Sequence, residues 1–228
     1  MKENKKNSIP VTIDNLSEET QEQYQAFSKL MAYYRCAMME IETKFNVLNV
    51  EYSLRYDRNP ISSIKCRLKT PVSIREKLTR RGLDVTVENI EQHLNDVAGV
   101  RVICPFPQDV QTLARALLGQ DDVELIERKD YILNPKENGY RSLHLIVAVP
   151  IYLAHEKRKM RVEIQLRTKA RDFWASLEHQ LRYKKDVPFT DDMAKELKFC
   201  ADLSAELDRR MDALREQVQY PTLKGPIQ

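Results

Sequence analysis

The residues that could do chemistry are concentrated in two segments in the second half of the chain. Glu137-Asn-Gly-Tyr-Arg-Ser-Leu-His144 is followed by Arg161-Val-Glu-Ile-Gln-Leu-Arg-Thr168. The second segment alternates apolar and polar residues, which is the period of a strand with one buried face. Its polar face carries, in order, Arg161, Glu163, Gln165 and Arg167. Acids and bases interleaved in one row suit a site that holds a metal ion and polyphosphates.

A second acid, Asp96, stands just before an apolar, β-branched segment at 97–106 that predicts a central strand. An aspartate at this place can cap the chain or bind a ligand, and the residues alone leave both interpretations open. If Asp96 and Glu163 converge, their two carboxylates with phosphates and water would form a Mg²⁺ site. Arg101 lies within the apolar strand, so its guanidinium needs an acidic partner or a base to stack on.

Two further features favour a nucleotide ligand. Basic residues cluster between 65 and 81, a segment that contains a single acid, Glu76. The basic residues are Lys65, Arg67, Lys69, Arg75, Lys77, Arg80 and Arg81. This cluster would attract phosphate, although a solvated helix face gives the same pattern. Tyr140 follows Gly139 on a predicted turn, where its ring either packs in the loop or stacks on a nucleobase.

Composition limits the class of protein. The chain has 228 residues and a net charge of +3, which is too small to indicate nucleic-acid binding by itself. No apolar run has the length of a membrane span, and the first residues lack the apolar region of a signal peptide, so we expect a cytoplasmic protein without membrane contact. The cysteines form no CxxC pair and fit a reducing compartment; they are Cys36, Cys66, Cys104 and Cys200.

These residues are expected on an α+β fold, with a mixed sheet of about five strands surrounded by helices and long helices near both ends. We predict a flexible segment at 1–16, a helix at 17–58, a sheet-containing domain at 59–185, a helix at 190–220 and a tail at 221–228. Within the domain, strands are predicted at 97–106, 123–127, 142–150 and 162–167, the last two paired antiparallel. Shorter helices are predicted at 72–81, 87–94, 110–118 and from Thr168 to about residue 183.

The last predicted helix carries an apolar seam with heptad spacing. Its members are Leu197, Cys200, Leu207, Met211, Leu214 and Val218. This seam would pack on the N-terminal helix or on another subunit. We favour a contribution to oligomerisation, because two long helices beside a small sheet leave apolar stripes to cover.

Ordered motifs from about Arg67 to Lys185 resemble the nucleotidyltransferase-like synthetase domain of the RelA/SpoT alarmone enzymes, in particular the small synthetases of the RelQ type. The matching segments are Arg67-Leu-Lys-Thr-Pro-Val-Ser-Ile-Arg-Glu-Lys77, Asp96-Val-Ala-Gly-Val-Arg101, Lys129-Asp-Tyr131, Asn138-Gly-Tyr-Arg-Ser-Leu-His144, Val162-Glu-Ile-Gln-Leu-Arg-Thr168 and Phe173-Trp-Ala-Ser-Leu-Glu-His179. Several motifs in this order over about half the chain make the resemblance specific.

The resemblance implies an activity and a set of partners. It implies transfer of the β,γ-pyrophosphate of ATP to the 3′-hydroxyl of GDP or GTP, which makes ppGpp or pppGpp in the stringent response. The implied cofactor is Mg²⁺, and the implied assembly is a homotetramer in the cytoplasm. Single-stranded RNA and an allosteric alarmone would be further ligands. The sequence has no His-Asp dipeptide of the kind used by the family's hydrolase domain, so we expect synthesis without hydrolysis.

The resemblance also implies a role for each site residue. Asp96 and Glu163 would bind Mg²⁺, and Glu163 would accept the proton of the 3′-hydroxyl. On the ATP side, Arg67 and Arg101 would sandwich the adenine, and Lys69, Ser73, Lys77 and Arg80 would hold the phosphates. On the acceptor side, Tyr140 would stack on the guanine, Gln165 would support the site, and Lys129, Lys136, Arg141 and His144 would face the acceptor phosphates or the transferred group.

Two positions depart from the family's pattern. Asp172 stands where relatives often carry Asn or His near the guanine, and its carboxylate would accept from the Watson–Crick edge. Residues 59–63 lack the aromatic that some relatives place at a central cleft, which argues against activation by the product.

Two other functions are compatible with these residues. The same fold could use another acceptor, such as GMP, ADP, ATP or a tRNA 3′ end. Alternatively, the chain could be a regulatory tetramer that binds single-stranded RNA, although its low net charge argues against strong general affinity for RNA.

Overall fold

A five-stranded mixed sheet forms the centre of the fold, and the computed structural model describes it over residues 17–56, 58–182 and 188–219. The strands are β1 (Ser63–Leu68), β2 (Ala98–Cys104), β3 (Glu124–Asp130), β4 (Leu143–Tyr152) and β5 (Lys157–Thr168). The helices in these residues are α1 (Glu18–Tyr56), α2 (Pro71–Arg80), α3 (Val87–His93), α4 (Pro107–Leu118), α5 (Lys169–Arg182) and α6 (Asp191–Gln219). The predicted α+β class with two long helices is confirmed, whereas the segments predicted at 1–16 and 221–228 lie outside the described residues.

The strand order β1-β2-β5-β4-β3 places β2, which follows Asp96, next to β5, which carries Glu163. Strand β2 pairs with β5 in parallel, and the other neighbouring pairs are antiparallel. The β4–β5 pairing confirms the predicted antiparallel partners. In the β2–β5 register Gly99 lies opposite Glu163 and Arg101 lies opposite Gln165. The polar row of β5 therefore runs alongside the arginine of β2.

The other face of the sheet is buried, as the alternation predicts. Val162, Ile164 and Leu166 are inaccessible to solvent and belong to the same apolar core as Ile41 and Phe45 of α1. Helix α1 contacts β1, β2, β4 and β5 from this side. Burying an apolar side chain of this size contributes about 1.5–3 kcal/mol. Because apolar packing against α1 stabilises the sheet from one face, the residues on the opposite face can be charged without disrupting the core.

Short helices begin at clear local signals. Thr70 accepts a hydrogen bond from the Ser73 amide and Pro71 follows it, so α2 has both an N-cap and a first-turn proline. Helix α4 begins at Pro107, earlier than the predicted start at 110, because Pro107 opens the helix as well as ending the strand segment before it. Strand β3 extends beyond the predicted 123–127 to Asp130 and includes Lys129.

On helix α6, charged residues are buried while several large apolar residues are exposed, which reverses the usual arrangement of an amphipathic helix. Its inward face carries Ala201, Asp208 and Arg215, all buried. Asp208 accepts a hydrogen bond from Thr168 (2.6 Å) and pairs with Arg171 (2.9 Å). The last four of the six residues in the predicted seam are exposed instead; they are Leu207, Met211, Leu214 and Val218. Helix α1 therefore does not cover this part of the seam. Across the ranges described, the structure contains no helix with the length and apolarity needed to span a bilayer.

The core contact between α1 and the sheet can be tested by truncating Phe45, which is fully buried. We expect Phe45→Ala to lower the free energy of unfolding by about 3–5 kcal/mol, because it removes transfer energy and leaves a cavity. Glu40→Ala, on an exposed position of the same helix, should change it by no more than about 0.5 kcal/mol. Urea denaturation followed by circular dichroism measures both, and equal effects would show that α1 is not held by this face.

Candidate active site

The two candidate carboxylates lie in one cavity on the polar side of the sheet. Asp96 precedes β2 by two residues, and Glu163 is held opposite Gly99 by the parallel pairing. Both line a cavity of about 390 Å³. The other residues that line it are Lys65, Arg67, Lys69, Gly99, Val100, Arg101 and Gln165. The structure thus brings together the acids with three of the predicted ATP-side residues and one predicted acceptor-side residue.

Asp96 is held by two lysines through a single oxygen. Lys77 Nζ lies 2.6 Å and Lys69 Nζ 3.0 Å from Oδ2. Burial by itself raises the pKa of Asp96, but the hydrogen bonds from the two lysines outweigh it and hold that pKa below its usual value. The second oxygen, Oδ1, is buried and has no hydrogen-bond partner. An ionised carboxylate with one free buried oxygen is suited to bind a cation.

Glu163 has one side-chain partner at each of its two oxygens. His144 Nδ1 lies 3.3 Å from Oε1, and Gln165 Nε2 donates to Oε2 at 3.0 Å. Burial alone would raise the pKa of Glu163, yet the contacts with His144 and Gln165 prevail and keep that pKa below its ordinary value. The carboxylate is therefore ionised at neutral pH, and it can accept a proton or bind a metal.

This donor set fits Mg²⁺ better than a transition metal. The part of the chain that the structure describes contains no group of three or more His, Cys, Asp or Glu side chains able to hold a metal ion. Zinc sites need at least three such ligands. Mg²⁺ commonly takes one or two carboxylates and completes its octahedron with water and substrate phosphates. Asp96 Oδ1 and Glu163 supply that minimum.

Tyr140 is held in a network of hydrogen bonds and stacked cations. Its hydroxyl shares a hydrogen bond with His144 Nε2 (2.7 Å) and accepts another from Arg167 (2.6 Å). The guanidinium of Arg167 and the ammonium of Lys136 lie 5.0 and 5.1 Å from the ring centroid. Tyr131 packs edge-on against both Tyr140 and His144. In this structure the ring is thus half-buried against cations that a stacked base would have to replace or accompany.

Asp172 lies where the ATP-side and acceptor-side residues meet. Its carboxylate pairs with Lys65 (3.2 Å), Arg101 (3.4 Å) and Arg167 (3.3 Å), and the residue is 8% exposed. The sequence predicts that this carboxylate meets the guanine edge. In this structure its oxygens instead neutralise three cations, because the neighbouring strands bring basic side chains to it.

The remaining predicted residues fall into two groups. Ser73, Lys77 and Arg80 follow one another at helical spacing on α2, and Lys77 reaches Asp96. Lys129 lies opposite His144 in the β3–β4 register and pairs with Glu127. Of these five side chains, Lys77 contacts Asp96, and His144 contacts Glu163 and Tyr140. Ser73, Arg80 and Lys129 lie beside them on α2 and β3, with no hydrogen bond or ion pair to the two acids among the described residues.

The Arg141 side chain lies away from the other residues predicted for the acceptor side. Its guanidinium donates to the Gly139 and Ala201 carbonyls and pairs with Asp202 at 3.0 Å, so it joins the Tyr140 loop to α6. The structure does not bring it to the acceptor-side cluster. The loop turns at Gly139, which has φ +87° and lies against Ala201 of α6, so Arg141, two residues later, is within reach of that helix.

Sequence reasoning gave no role to Arg167, which is only 4% exposed and links Tyr140, Gln165 and Asp172. Its place at the end of the polar row of β5 was the available signal. An arginine that is largely buried on a strand needs acidic or aromatic partners, and this rule could have identified Arg167 as a site residue.

Comparisons with known proteins agree on one family. Residues 66–187 match the family model described as a region found in RelA / SpoT proteins. The GTP pyrophosphokinase YwaC of Bacillus subtilis is 40% identical over 185 residues, covering 81% of this chain and 88% of the relative. The GTP pyrophosphokinase YjbM of the same organism is 33% identical over 193 residues, covering 85% of this chain and 90% of the relative.

Solved structures give the same result. The crystal structure of small alarmone synthetase 1 from Bacillus subtilis bound to its product pppGpp has a TM-score of 0.77 at 33% identity. The match covers 85% of this chain and 98% of that one. Small alarmone synthetase 2 from the same organism has a TM-score of 0.75 at 38% identity, over 84% of this chain and 98% of that chain.

The close approach of the Tyr140 loop to α6 can be tested at Gly139. A Cβ at this position would lie 2.6 Å from the Ala201 Cβ, in addition to the cost of a positive φ. We expect Gly139→Ala to destabilise the protein by more than the ~1 kcal/mol expected for the backbone strain alone. Gly82→Ala is the matched control, because Gly82 has φ +70° and open space around it.

Adding Ala201→Gly separates the clash from the strain. The double substitution should recover part of the Gly139→Ala loss, although glycine within a helix costs about 1 kcal/mol by itself. Chemical denaturation of the wild type, Gly139→Ala, Ala201→Gly and the double variant gives the coupling energy. No coupling between the two positions would mean that the loop does not rest on α6.

Proposed function

Because the chain belongs to the RelA/SpoT family, we propose that it is a GTP pyrophosphokinase that makes ppGpp or pppGpp from ATP and GDP or GTP. The observation that carries this proposal is the cavity in which Asp96 and Glu163 meet Lys69 and two arginines. Ionised acids beside cations suit a magnesium–polyphosphate substrate. The relatives named above bear the same activity in their names, and one solved neighbour is bound to pppGpp.

Glu163 acts as the general base in this proposal. Its carboxylate removes the proton of the ribose 3′-hydroxyl, the 3′ oxygen bonds to the β-phosphorus of ATP, and the bond to the α-phosphate oxygen breaks to release AMP. His144 and Gln165 orient the carboxylate, each through one of its oxygens. A positioned base of this kind contributes roughly a hundredfold to ten-thousandfold in rate.

The ATP side works through position and charge. Arg67 and Arg101 reach the cavity from paired strands, which places two guanidiniums where they can hold the adenine. Lys69 and Lys77 are already next to Asp96, so they can hold the ATP phosphates beside the metal ligands. Ser73 and Arg80 extend this group along α2. Pyrophosphate transfer depends mainly on such alignment and charge neutralisation.

Mg²⁺ would be held by Asp96 Oδ1 and Glu163, and when bound it would neutralise charge on the transferred phosphates. The two lysines that share Asp96 Oδ2 keep the carboxylate ionised and oriented before any ligand arrives. We propose that this arrangement makes activity dependent on Mg²⁺ and that the chain has synthetase but no hydrolase activity.

The acceptor side uses Tyr140 to stack on the guanine, with Lys129 and Lys136 near the acceptor phosphates. His144 uses both ring nitrogens, for Glu163 and for Tyr140, so its main role here is to orient the base. One observation keeps a second acceptor in view: Asp172 neutralises three cations and is not free to read guanine in this structure. GMP, ADP, ATP or a tRNA 3′ end are the alternatives.

We also propose that the protein works in the cytoplasm as a homotetramer. The support is the exposed apolar seam of α6, since an exposed stripe of this kind requires a partner surface. Binding of single-stranded RNA or of an allosteric alarmone rests on the family resemblance alone.

The activity is tested with purified protein, Mg²⁺ and γ-labelled ATP, with GMP, GDP, GTP, ADP or deacylated tRNA offered separately. We expect label on GDP or GTP. Glu163→Gln and Asp96→Asn should each lower kcat at least about a hundredfold while the protein stays folded. Glu124→Gln, an exposed carboxylate paired with Lys159 on the same sheet, is the control and should leave kcat unchanged. Full activity in both site variants would remove the metal and base assignments.

The assembly is tested separately on α6. Leu207→Glu together with Met211→Glu places two charges on the exposed seam, and we expect the tetramer to dissociate in light-scattering measurements of molar mass. Gln217→Glu, an exposed polar position on the same helix, should leave the mass unchanged. A wild-type mass for the double variant would mean that this seam is not a subunit interface.

A further inference from the structure

Arg161 lies two residues before Glu163 in the polar row of β5, and the proposed reaction gives it no role. Its Nη1 donates to three acceptors on the segment that leads to Asp96. These are the carbonyl of Glu91 (3.2 Å), the carbonyl of Gln92 (3.1 Å) and the side-chain oxygen of Asn95 (3.1 Å). The arginine thus connects the strand that carries one acid to the turn that carries the other.

The acceptors lie at a place where the backbone needs such a partner. Helix α3 ends at His93, and the last carbonyls of a helix have no partner within it. A cation at this end also compensates the helix dipole. Beyond the helix, Leu94 is fully buried and anchors the chain in the core. The buried Leu94 side chain and the hydrogen bonds from Arg161 therefore both hold the chain immediately before Asp96.

We infer that Arg161 is a positioning residue for the metal site, which it serves without contacting substrate. By holding Asn95 and the end of α3 against β5, it fixes Asp96 Oδ1 at the position from which it and Glu163 reach the same cation. This inference rests on the proposed function, because that function supplies the reason for two converging carboxylates. Substitutions of residues that orient metal ligands typically cost about 10–100-fold in metal affinity.

The residue type matters as much as the position. A guanidinium is planar, so the two N–H bonds of Nη1 point in fixed directions, and its three acceptors must share these two hydrogens. A lysine ammonium has a similar reach but no fixed plane, and we expect it to keep the charge while losing part of the orientation.

Arg158 on the same strand provides a matched comparison. It pairs with the side chain of Glu91 and stacks on Tyr33. It therefore anchors α3 to β5, as Arg161 does, but makes no contact with Asn95. If holding α3 against β5 were sufficient to position Asp96, substitution of either arginine would have the same effect on metal binding.

The test uses Mn²⁺ as the probe, with α,β-methylene-ATP present to supply phosphates without reaction. Free Mn²⁺ is measured by electron paramagnetic resonance for the wild type, Arg161→Met, Arg161→Lys and Arg158→Met. We expect Arg161→Met to weaken Mn²⁺ binding at least about tenfold, Arg161→Lys to weaken it less, and Arg158→Met to leave it unchanged. The Mg²⁺ concentration for half-maximal activity should rise most in Arg161→Met, less in Arg161→Lys and not in Arg158→Met. At saturating Mg²⁺, kcat should be close to the wild-type value in all three variants.

Amide hydrogen exchange in metal-free protein gives a readout that does not depend on the reaction. Residues 94–97 should exchange faster in Arg161→Met and at the wild-type rate in Arg158→Met. If Arg161→Met does not fold, Arg161→Lys carries the same comparison. Asn95→Ala should show a smaller loss, and combining it with Arg161→Met should add little, because the two share one contact.

Wild-type Mn²⁺ affinity and exchange in Arg161→Met would overturn the inference, and so would equal losses in Arg158→Met. The failure of the proposed function has a different signature. In that case the wild type would transfer no pyrophosphate to any acceptor, while Mn²⁺ binding and exchange at 94–97 would still depend on Arg161.

Discussion

The parallel pairing of β2 with β5 is the constraint on which the site depends. It places Glu163 opposite Gly99 and Gln165 opposite Arg101, so the residues of two distant segments meet in one cavity. The pairing is possible because the other face of both strands is apolar and is covered by α1. A shift of one residue in this register would turn the polar row of β5 into the core and abolish both the site and the packing.

Charge compensation is the second principle of the site. Asp96 is matched by two lysines, and Asp172 by one lysine and two arginines. Half-buried charges without partners are costly, so these pairs stabilise the site before any substrate binds. They also leave specific atoms unsatisfied, such as Oδ1 of Asp96 and Nε of Arg167. Preorganised groups of this kind need little rearrangement when a charged substrate arrives.

The sequence located four of the five strands and the position of the acids, but it did not identify β1 (Ser63–Leu68) as a strand or predict the side-chain partners. Alternation at 161–167 and the β-branched segment at 97–106 were sufficient to predict which faces are buried. The partners of Asp172 and Arg141 depend on distances between elements, and periodicity carries no information about them. Heptad spacing likewise located the apolar stripe of α6, but the buried pair Asp208–Arg171 determines which side faces the core.

The parallel pairing also has a consequence for how the site is assembled. Strands β4 and β5 are joined by a short hairpin turn, so His144 and Glu163 can meet through a local and fast event. Strand β2 is separated from β5 by α4, β3 and β4, and bringing the two together requires closure of a long loop. Loop-closure entropy therefore makes it costlier to bring Asp96 to Glu163 than to bring His144 to Glu163. In a chain where the β4–β5 hairpin has formed and β2 has not yet docked, Glu163 would have its histidine partner but not Asp96.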